Sequence, residues 1–300
     1  MTGSAGGWEA RRRREYLYGL WPALIVLAGV TLAPAVYLVV TSLTPLNLTN
    51  PQSEWNFRDP LGNYALLVED ARFHNSLLVQ AKLSIFTVSF QLLVGLAVAI
   101  LLNARSRFLE AVRTMFLIPM VLPPIVVAII WKVLYTPDIS PFHMFLNSIG
   151  RPMGAMITSP DYAIWSIVIP DVWEWFPFTM LLLLAALQML PEEPLEAALI
   201  DGAGPWQKFV YVVLPLLRPA ILVAGLFRLI DSIKAFPLIY ILTEGGPGKV
   251  TEITNWYAFV QAFNFNYLGF ASAITVVMVV ATFLLSWGII RVVGTEVDVE

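Results

Sequence analysis

Six apolar stretches, each longer than 20 residues, constrain this chain more than any other feature; they run approximately over 17–42, 76–102, 115–135, 163–189, 220–242 and 269–293. A helix advances about 1.5 Å per residue, so about 20 apolar residues carry it across the roughly 30 Å hydrocarbon layer of a membrane. Only 13% of the residues are charged, where a soluble domain needs about 25% to face water. The expectation is an all-α membrane protein with six transmembrane helices. The first stretch exceeds the apolar core of a cleavable leader, about 7–15 residues. Its Ala33-Pro34-Ala35 lies inside the span, so a retained helix is expected.

The composition also excludes several chemistries. There is no cysteine, hence no disulfide, zinc-thiolate site or iron–sulfur cluster. His74 and His143 lie far apart in polar connecting segments; a solvated or capping role is expected for each, and no metal site. The net charge of −3, without a concentrated basic face, gives no reason to expect nucleic acid.

Orientation follows from lysine and arginine beside the spans, which concentrate on the cytoplasmic side. Arg11 to Arg14, Arg105, Arg107, Arg113, Lys208, Arg218 and Arg291 fall on one side; Arg58, Arg72, Arg151 and Lys249 fall on the other. Both termini are therefore expected in the cytoplasm. The division expected is a cytoplasmic tail (1–16), a first transmembrane helix (17–42) and an external loop (43–75). A core of five helices (76–293) follows, with a cytoplasmic loop at 190–219, and then a second tail (294–300).

The stretch "TEGGPGKVT", 243–251, looks like a loop that wraps nucleotide phosphates. It fails on spacing. Counting back from Gly248-Lys249, the position that needs glycine holds Thr243, and Val250 follows the lysine where serine or threonine is required. It also falls on the external side, away from cytoplasmic ATP. Gly245, Gly246 and Pro247 instead suit a tight turn, which we expect to form part of an outer rim or gate.

The cytoplasmic loop is the most informative segment. Acidic residues near Pro191 suit a helix start, Gly202 suits its end, and Pro205 suits the first turn of another. Ala197, Ala198, Gly202 and Ala203 form a small-residue surface open to close approach, and Glu196 and Asp201 can cap amides or meet basic groups. On shape alone this is a helical hairpin in the interface plane. The pattern Glu196-Ala197-Ala198, three residues, Gly202, nine residues, Val212-x-Leu214-Pro215 resembles the "EAA" loop of ABC importer permeases. The family usually has isoleucine where Val212 stands. "GNYALLVED" (62–70), "FLIPMVLPPIVVAIIWKVLY" (116–135) and "IYILTEGGPGKVTEITNWYAFVQAFNFNYLGFASA" (239–273) are similar to its carbohydrate-uptake branch, of the maltose and glycerol-3-phosphate permease type. The resemblance implies a type I importer permease fold with a MetI-like core, and a coupling helix seated on a separate ATPase. Glu196, Ala197, Ala198, Asp201, Gly202 and Ala203 would carry the docking, with Leu214 and Pro215 setting the return into the next span. It also implies the partners: a second permease, two ATPase subunits and an external binding protein, in the cytoplasmic membrane of a bacterium or archaeon. No cofactor is expected on this chain, since ATP would be bound by partner subunits.

Ionisable groups within a membrane cost about 2.5–3.5 kcal/mol each, so they face partners or water. Asp171, Trp175 and Phe178 recur at helical spacing with Glu174 alongside and Trp173 nearby. Aromatic faces beside carboxylates suit a sugar or polyol, whose C–H surfaces stack on rings while its hydroxyls donate to carboxylates. An interfacial aromatic belt is the competing reading; Trp165 fits that, whereas Trp173 and Trp175 lie deeper. Arg228, Asp231 and Lys234 form an i, i+3 stripe, readable as an ion-pair ladder, as a polar wall with Phe236, or as both. The expected function is a non-enzymatic permease subunit that moves a sugar or polyol by alternating access. A permease for another solute, an ion-coupled carrier and a membrane enzyme are the alternatives.

Overall fold

The computed structural model describes residues 5–104, 106–151 and 154–297, without the side chains of 5–15, 17, 51 and 292–297. Arg105, and the side chains of Arg11 to Arg14 used for orientation, lie outside the described residues, as do parts of both expected tails. Among the described residues everything regular is helical; the one β-like feature is an isolated bridge between Asn47 and Asn50.

The chain divides into two compact units. One takes the chain up to Glu69 together with Gln261–Val277. It contains α1 (Ala5–Ser42), α2 (Gly62–Glu69) and the first turns of the last helix. The most apolar window of Tyr18–Ser42 has a mean hydropathy of 2.4 and buries none of its residues within the protein, as expected of a helix solvated by lipid. Buried polar contacts are made where α1 ends. Thr41 Oγ1 donates to Ser272 Oγ at 3.1 Å, and Asn63 Nδ2 donates to the carbonyls of Ser42 (2.9 Å) and Thr44 (2.8 Å). The two Asn63 bonds satisfy carbonyls at and just beyond the helix end, where helical partners run out. Gly269 donates its amide to the Leu46 carbonyl at 2.9 Å, and a Cβ there would lie 2.1 Å from the Thr44 carbonyl oxygen. No other residue fits.

The other unit takes Asp70–Val260 and the chain from Met278. Its elements are α3 (Ala71–Leu101), α4 (Arg107–Phe116), α5 (Ile118–Val121), α6 (Pro124–Tyr135), α7 (Pro141–Ser148), α8 (Trp165–Gln188), α9 (Glu192–Ile200) and α10 (Pro205–Lys208). They are followed by α11 (Leu214–Ile233), α12 (Pro237–Leu242), α13 (Thr254–Phe259) and most of α14 (Leu268–Val297). Asp70 caps α3 by accepting the amides of Arg72 (2.8 Å) and Phe73 (3.3 Å). Helices α3 and α8 pack against each other along their lengths. Lipid gives no hydrophobic force between helices, so small residues that admit a neighbouring backbone matter most. Gly95 is one: a Cβ on it would sit 2.5 Å from Thr179 Oγ1, which itself donates to the Gln91 carbonyl at 2.9 Å. Leu83, Ile167, Ile239 and Ile253 fill the larger core, and Ala99, Leu102, Met180 and Leu183 a second one.

Two expected spans take a different form. The third, 115–135, is not one helix: the chain is extended at Pro123, and only the twelve residues Pro124–Tyr135 run on as an apolar helix. At about 1.5 Å per residue these cover about 18 Å. The fifth, 220–242, is really α11 ending at Ile233, a break at 234–236, and the separate α12, which packs on α6. Among the described residues five helices are thus long and apolar enough to cross a membrane, with α6 as a shorter sixth. His143 departs from its expected role as well. It is 1% exposed, neither ring nitrogen has a hydrogen-bond partner, and only its backbone amide is capped, by Ser140 Oγ at 3.3 Å.

Candidate functional site

A cavity of about 210 Å³ opens where α8, the last two turns of α11, the 234–236 break and the start of α12 converge on Pro124. Of the sequence-derived path residues, Asp171, Glu174, Trp175, Arg228, Asp231, Lys234 and Phe236 line it. Trp173 and Phe178 do not. Trp173 is rotated about 160° from Asp171–Phe178 at 100° per residue, and its ring meets Trp131 at 5.9 Å in the core. Phe178 shares that face but lies about 10 Å further along the axis, where it meets Phe227 at 6.2 Å.

A residue not anticipated from the sequence organises the inner wall. Gln91, fully buried on α3, donates from Nε2 to Asp171 Oδ2 at 2.7 Å and accepts from Arg228 Nε at 2.8 Å. Arg228, 2% exposed, also donates to Asp231 Oδ2 at 3.1 Å and lies 4.6 Å from the centre of the Trp175 ring. The cation is thus held by a carboxylate, an amide and an aromatic face, as burial of a charge requires. Glu174 is 1% exposed and its Oε1 has no hydrogen-bond partner. The signal for Gln91 was present: Gln80, Ser84, Thr87 and Gln91 follow helical spacing along one face of α3, and all are buried. Gln80 Nε2 reaches the Ser232 carbonyl at 3.0 Å, and Ser232 Oγ meets Ser84 Oγ at 2.8 Å. One polar stripe therefore joins α3 to α11.

The 190–219 loop forms the hairpin read from its sequence. Ala203 N donates to the Ala198 carbonyl (2.9 Å) and Gly202 N to that of Leu199 (3.1 Å), with Gly202 at φ +77°; this double bond pattern closes helices on a left-handed residue. Gln207 Oε1 accepts the Gly204 amide at 2.9 Å, which starts α10. A π-turn over Phe209–Val213 then leads into α11. Glu196, Ala197, Asp201, Gly202 and Pro215 are exposed, while Ala203 and Leu214 are half-buried. Ala198 points inward and is buried. The motif did not anticipate the apolar tips beside it: Ile200 is 86% exposed, and Leu199, Trp206 and Tyr211 are exposed too.

The 243–252 loop folds onto itself. Thr251 Oγ1 donates to the Gly246 carbonyl (2.7 Å) and pairs with the Thr243 hydroxyl (2.9 Å), and the Gly246–Pro247 peptide is cis. Glu252, almost fully buried, takes a two-pronged ion pair from Arg72 at 2.7 and 2.8 Å, which ties the loop to the start of α3. Gly245 has φ +80° and would place a Cβ 2.6 Å from Trp256 Nε1; Gly248 has φ +62° and open space around it. A left-handed backbone costs a non-glycine residue about 1–2 kcal/mol. Gly245→Val should therefore lower the thermal midpoint of the detergent-solubilised chain well beyond Gly248→Ala. Equal shifts would mean that the Trp256 contact contributes nothing.

The family described as binding-protein-dependent transport system inner membrane component matches residues 91–293. The chain belongs to this family. This permease is 38% identical over 216 residues to the trehalose/maltose transport system permease protein MalF of Thermococcus litoralis, covering 72% of this chain and 73% of that one. It is 32% identical to the trehalose transport system permease protein SugA of Mycobacterium tuberculosis, over 96% of this chain and 91% of the other. A crystal structure of a bacterial ABC transporter involved in import of the acidic polysaccharide alginate matches with a TM-score of 0.81, over 96% of this chain and 98% of that chain. Identity there is 18%, so the likeness concerns the fold. The permease has the helical architecture of ABC importer permeases and is a multi-pass membrane subunit.

Proposed function

We propose that this permease carries a sugar or polyol inward through the cavity bounded by α8 and α11. ATP would be hydrolysed by two separate subunits docked on the α9–α10 hairpin. One observation carries the coupling half of the reading: a hairpin with the EAA spacing stands exposed, with Glu196, Asp201 and the apolar tips Leu199 and Ile200 free to meet another chain. The carbohydrate half is supported by the relatives named for trehalose and maltose transport and by a wall that sets Trp175 beside Asp171 and Glu174. A second, similar permease completes the path, and an external binding protein delivers the substrate near the 243–252 loop. The chain sits in a bacterial or archaeal cytoplasmic membrane with both termini inside. It performs no covalent chemistry, holds no cofactor and no metal, and leaves nucleotide to its partners.

Reconstitution in vesicles with the products of the neighbouring transport genes tests this. Labelled trehalose or maltose should accumulate only with ATP and the binding protein, and this chain alone should hydrolyse no ATP. Accumulation driven by a proton or sodium gradient without ATP would overturn the coupling. ATP-driven uptake confined to non-carbohydrate solutes would overturn the substrate class.

A further inference from the structure

The cavity owes its shape to a break in the backbone. Lys234 to Leu238, the break and the start of α12, all line it together with Asp171, Glu174 and Trp175 of α8. A helix that stops leaves its last carbonyls without amide donors, and a membrane-spanning chain must find those donors within the protein. Helical pairing would give the Ile233 carbonyl the amide of residue 237, but that residue is proline and has no N–H. Asn255, on α13, supplies the missing donor: its Nδ2 lies 2.9 Å from the Ile233 oxygen. The helical partner of the Ser232 carbonyl would be Phe236, whose backbone has left the helix. That carbonyl takes Gln80 Nε2 of α3 at 3.0 Å instead, and the Ala235 amide at 3.3 Å. Gln80 is buried, Asn255 half-buried, and neither lines the cavity. Two side-chain amides from two other helices thus hold the end of α11 in the form that lets 234–236 line it.

We infer that Asn255 and Gln80 are positioning residues for transport: by fixing the break they set how tightly the cavity takes its solute, without touching it. The inference rests on the carbohydrate path proposed above and adds what keeps that path in shape. A binding contact is only as well placed as the groups that support it, and Lys234 and Phe236 stand on backbone that these two amides fix. Asn255 matters more, because the Ile233 carbonyl has no other donor among the described residues, whereas the Ser232 carbonyl keeps Ala235.

The test separates shape from stability. Trehalose and maltose are titrated calorimetrically into the detergent-purified importer complex without nucleotide or binding protein, and the unfolding midpoint is followed in parallel. Asn255→Ala should bind them at least about tenfold more weakly, and Gln80→Leu about threefold, since loss of preorganisation is paid in affinity. The double variant Asn255→Ala/Pro237→Ala decides between roles. Its new amide at 237 can donate to Ile233 and carry the helix through the break, so the midpoint should return towards wild type while affinity stays at least about tenfold down. A thiol reads the break directly, whatever the solute, because the chain has no cysteine. With Ala235→Cys added, a water-soluble maleimide should modify the double variant at least about fivefold more slowly than the chain carrying Ala235→Cys alone, because thiol reactivity follows access. Affinity that returns with the midpoint would reduce Asn255 to a structural partner and overturn the inference. Wild-type affinity in Asn255→Ala, or an unchanged thiol rate in the double variant, would overturn it as well. Failure of the unsubstituted complex to bind either sugar would instead overturn the carbohydrate path, and the thiol rate would still decide what Asn255 does.

Discussion

Deleting residues 194–204 is expected to abolish both ATPase association and uptake while the helical core stays folded. The deletion removes the second part of α9 and its Gly202 cap, a hairpin whose residues are exposed or half-exposed apart from the buried Ala198. The contacts that hold the core, α3 against α8 and α11 against both, lie outside it. The loss should therefore appear in co-purification of the ATPase and in vesicle uptake, with the far-UV helical signal close to wild type. Substitution gives a graded version. A Cβ on Gly202 meets nothing within 4 Å, so Gly202→Ala costs only the left-handed backbone, about 1–2 kcal/mol, and should weaken docking without unfolding the chain. If the deletion variant still accumulates solute under an ion gradient, the chain is an autonomous carrier and the coupling reading is wrong.

Replacing Arg228 with alanine should destabilise the permease by about 1.5–3 kcal/mol, the range for hydrogen bonds to charged groups, since the ion pair is half exposed on the Asp231 side. The alanine variant leaves Asp231 without its 3.1 Å partner, Gln91 Oε1 without its donor and Trp175 without the cation over its ring. It also leaves Asp171 and Glu174 in the same wall without a nearby compensating guanidinium. The loss should thus be partly recovered by adding Asp171→Asn, which removes one stranded charge and keeps the bond geometry toward Gln91. Unfolding in detergent, followed by the intrinsic fluorescence of the tryptophans, reads both effects. If the alanine variant unfolds at the wild-type midpoint, the network does not hold α3, α8 and α11 together. If Asp171→Asn worsens the loss, the stranded carboxylate is not its source.

Much of this architecture was legible because lipid imposes a simple rule. A segment that must satisfy its own backbone and offer apolar side chains all round can only be a long apolar helix, and α1, α3, α8 and α14 follow it closely. The hairpin was legible for a local reason: Gly202 and Pro205 carry backbone preferences that need no distant partner. The breaks at Pro123 and at 234–236 were not read from the apolar runs, since hydropathy averaged over a span is blind to where a helix stops. Phe236, with φ −145° and ψ −48°, leaves the helix where α12 turns onto α6, a contact between segments about a hundred residues apart.

The same division holds within the site. Helical spacing grouped Asp171, Glu174 and Trp175, and separately Arg228, Asp231 and Lys234, which all line the cavity, because such groupings are properties of one helix. It also enlisted Trp173 and Phe178, which a single helix cannot reject: whether a side chain at another angle or another height meets a cavity depends on what stands beside it. Gln91 lay in the sequence as one amide among apolar residues, without a stated purpose. From sequence alone came the helical class, the apolar lengths, the capped hairpin and the charged stripes, all set by the chain's neighbours along itself. The tertiary structure alone decided that α3 supplies the amide between Asp171 and Arg228 and that Glu174 keeps an oxygen unbonded. It did so because buried polar groups find their partners across helices, and pairing across helices is not written in the spacing of any one of them.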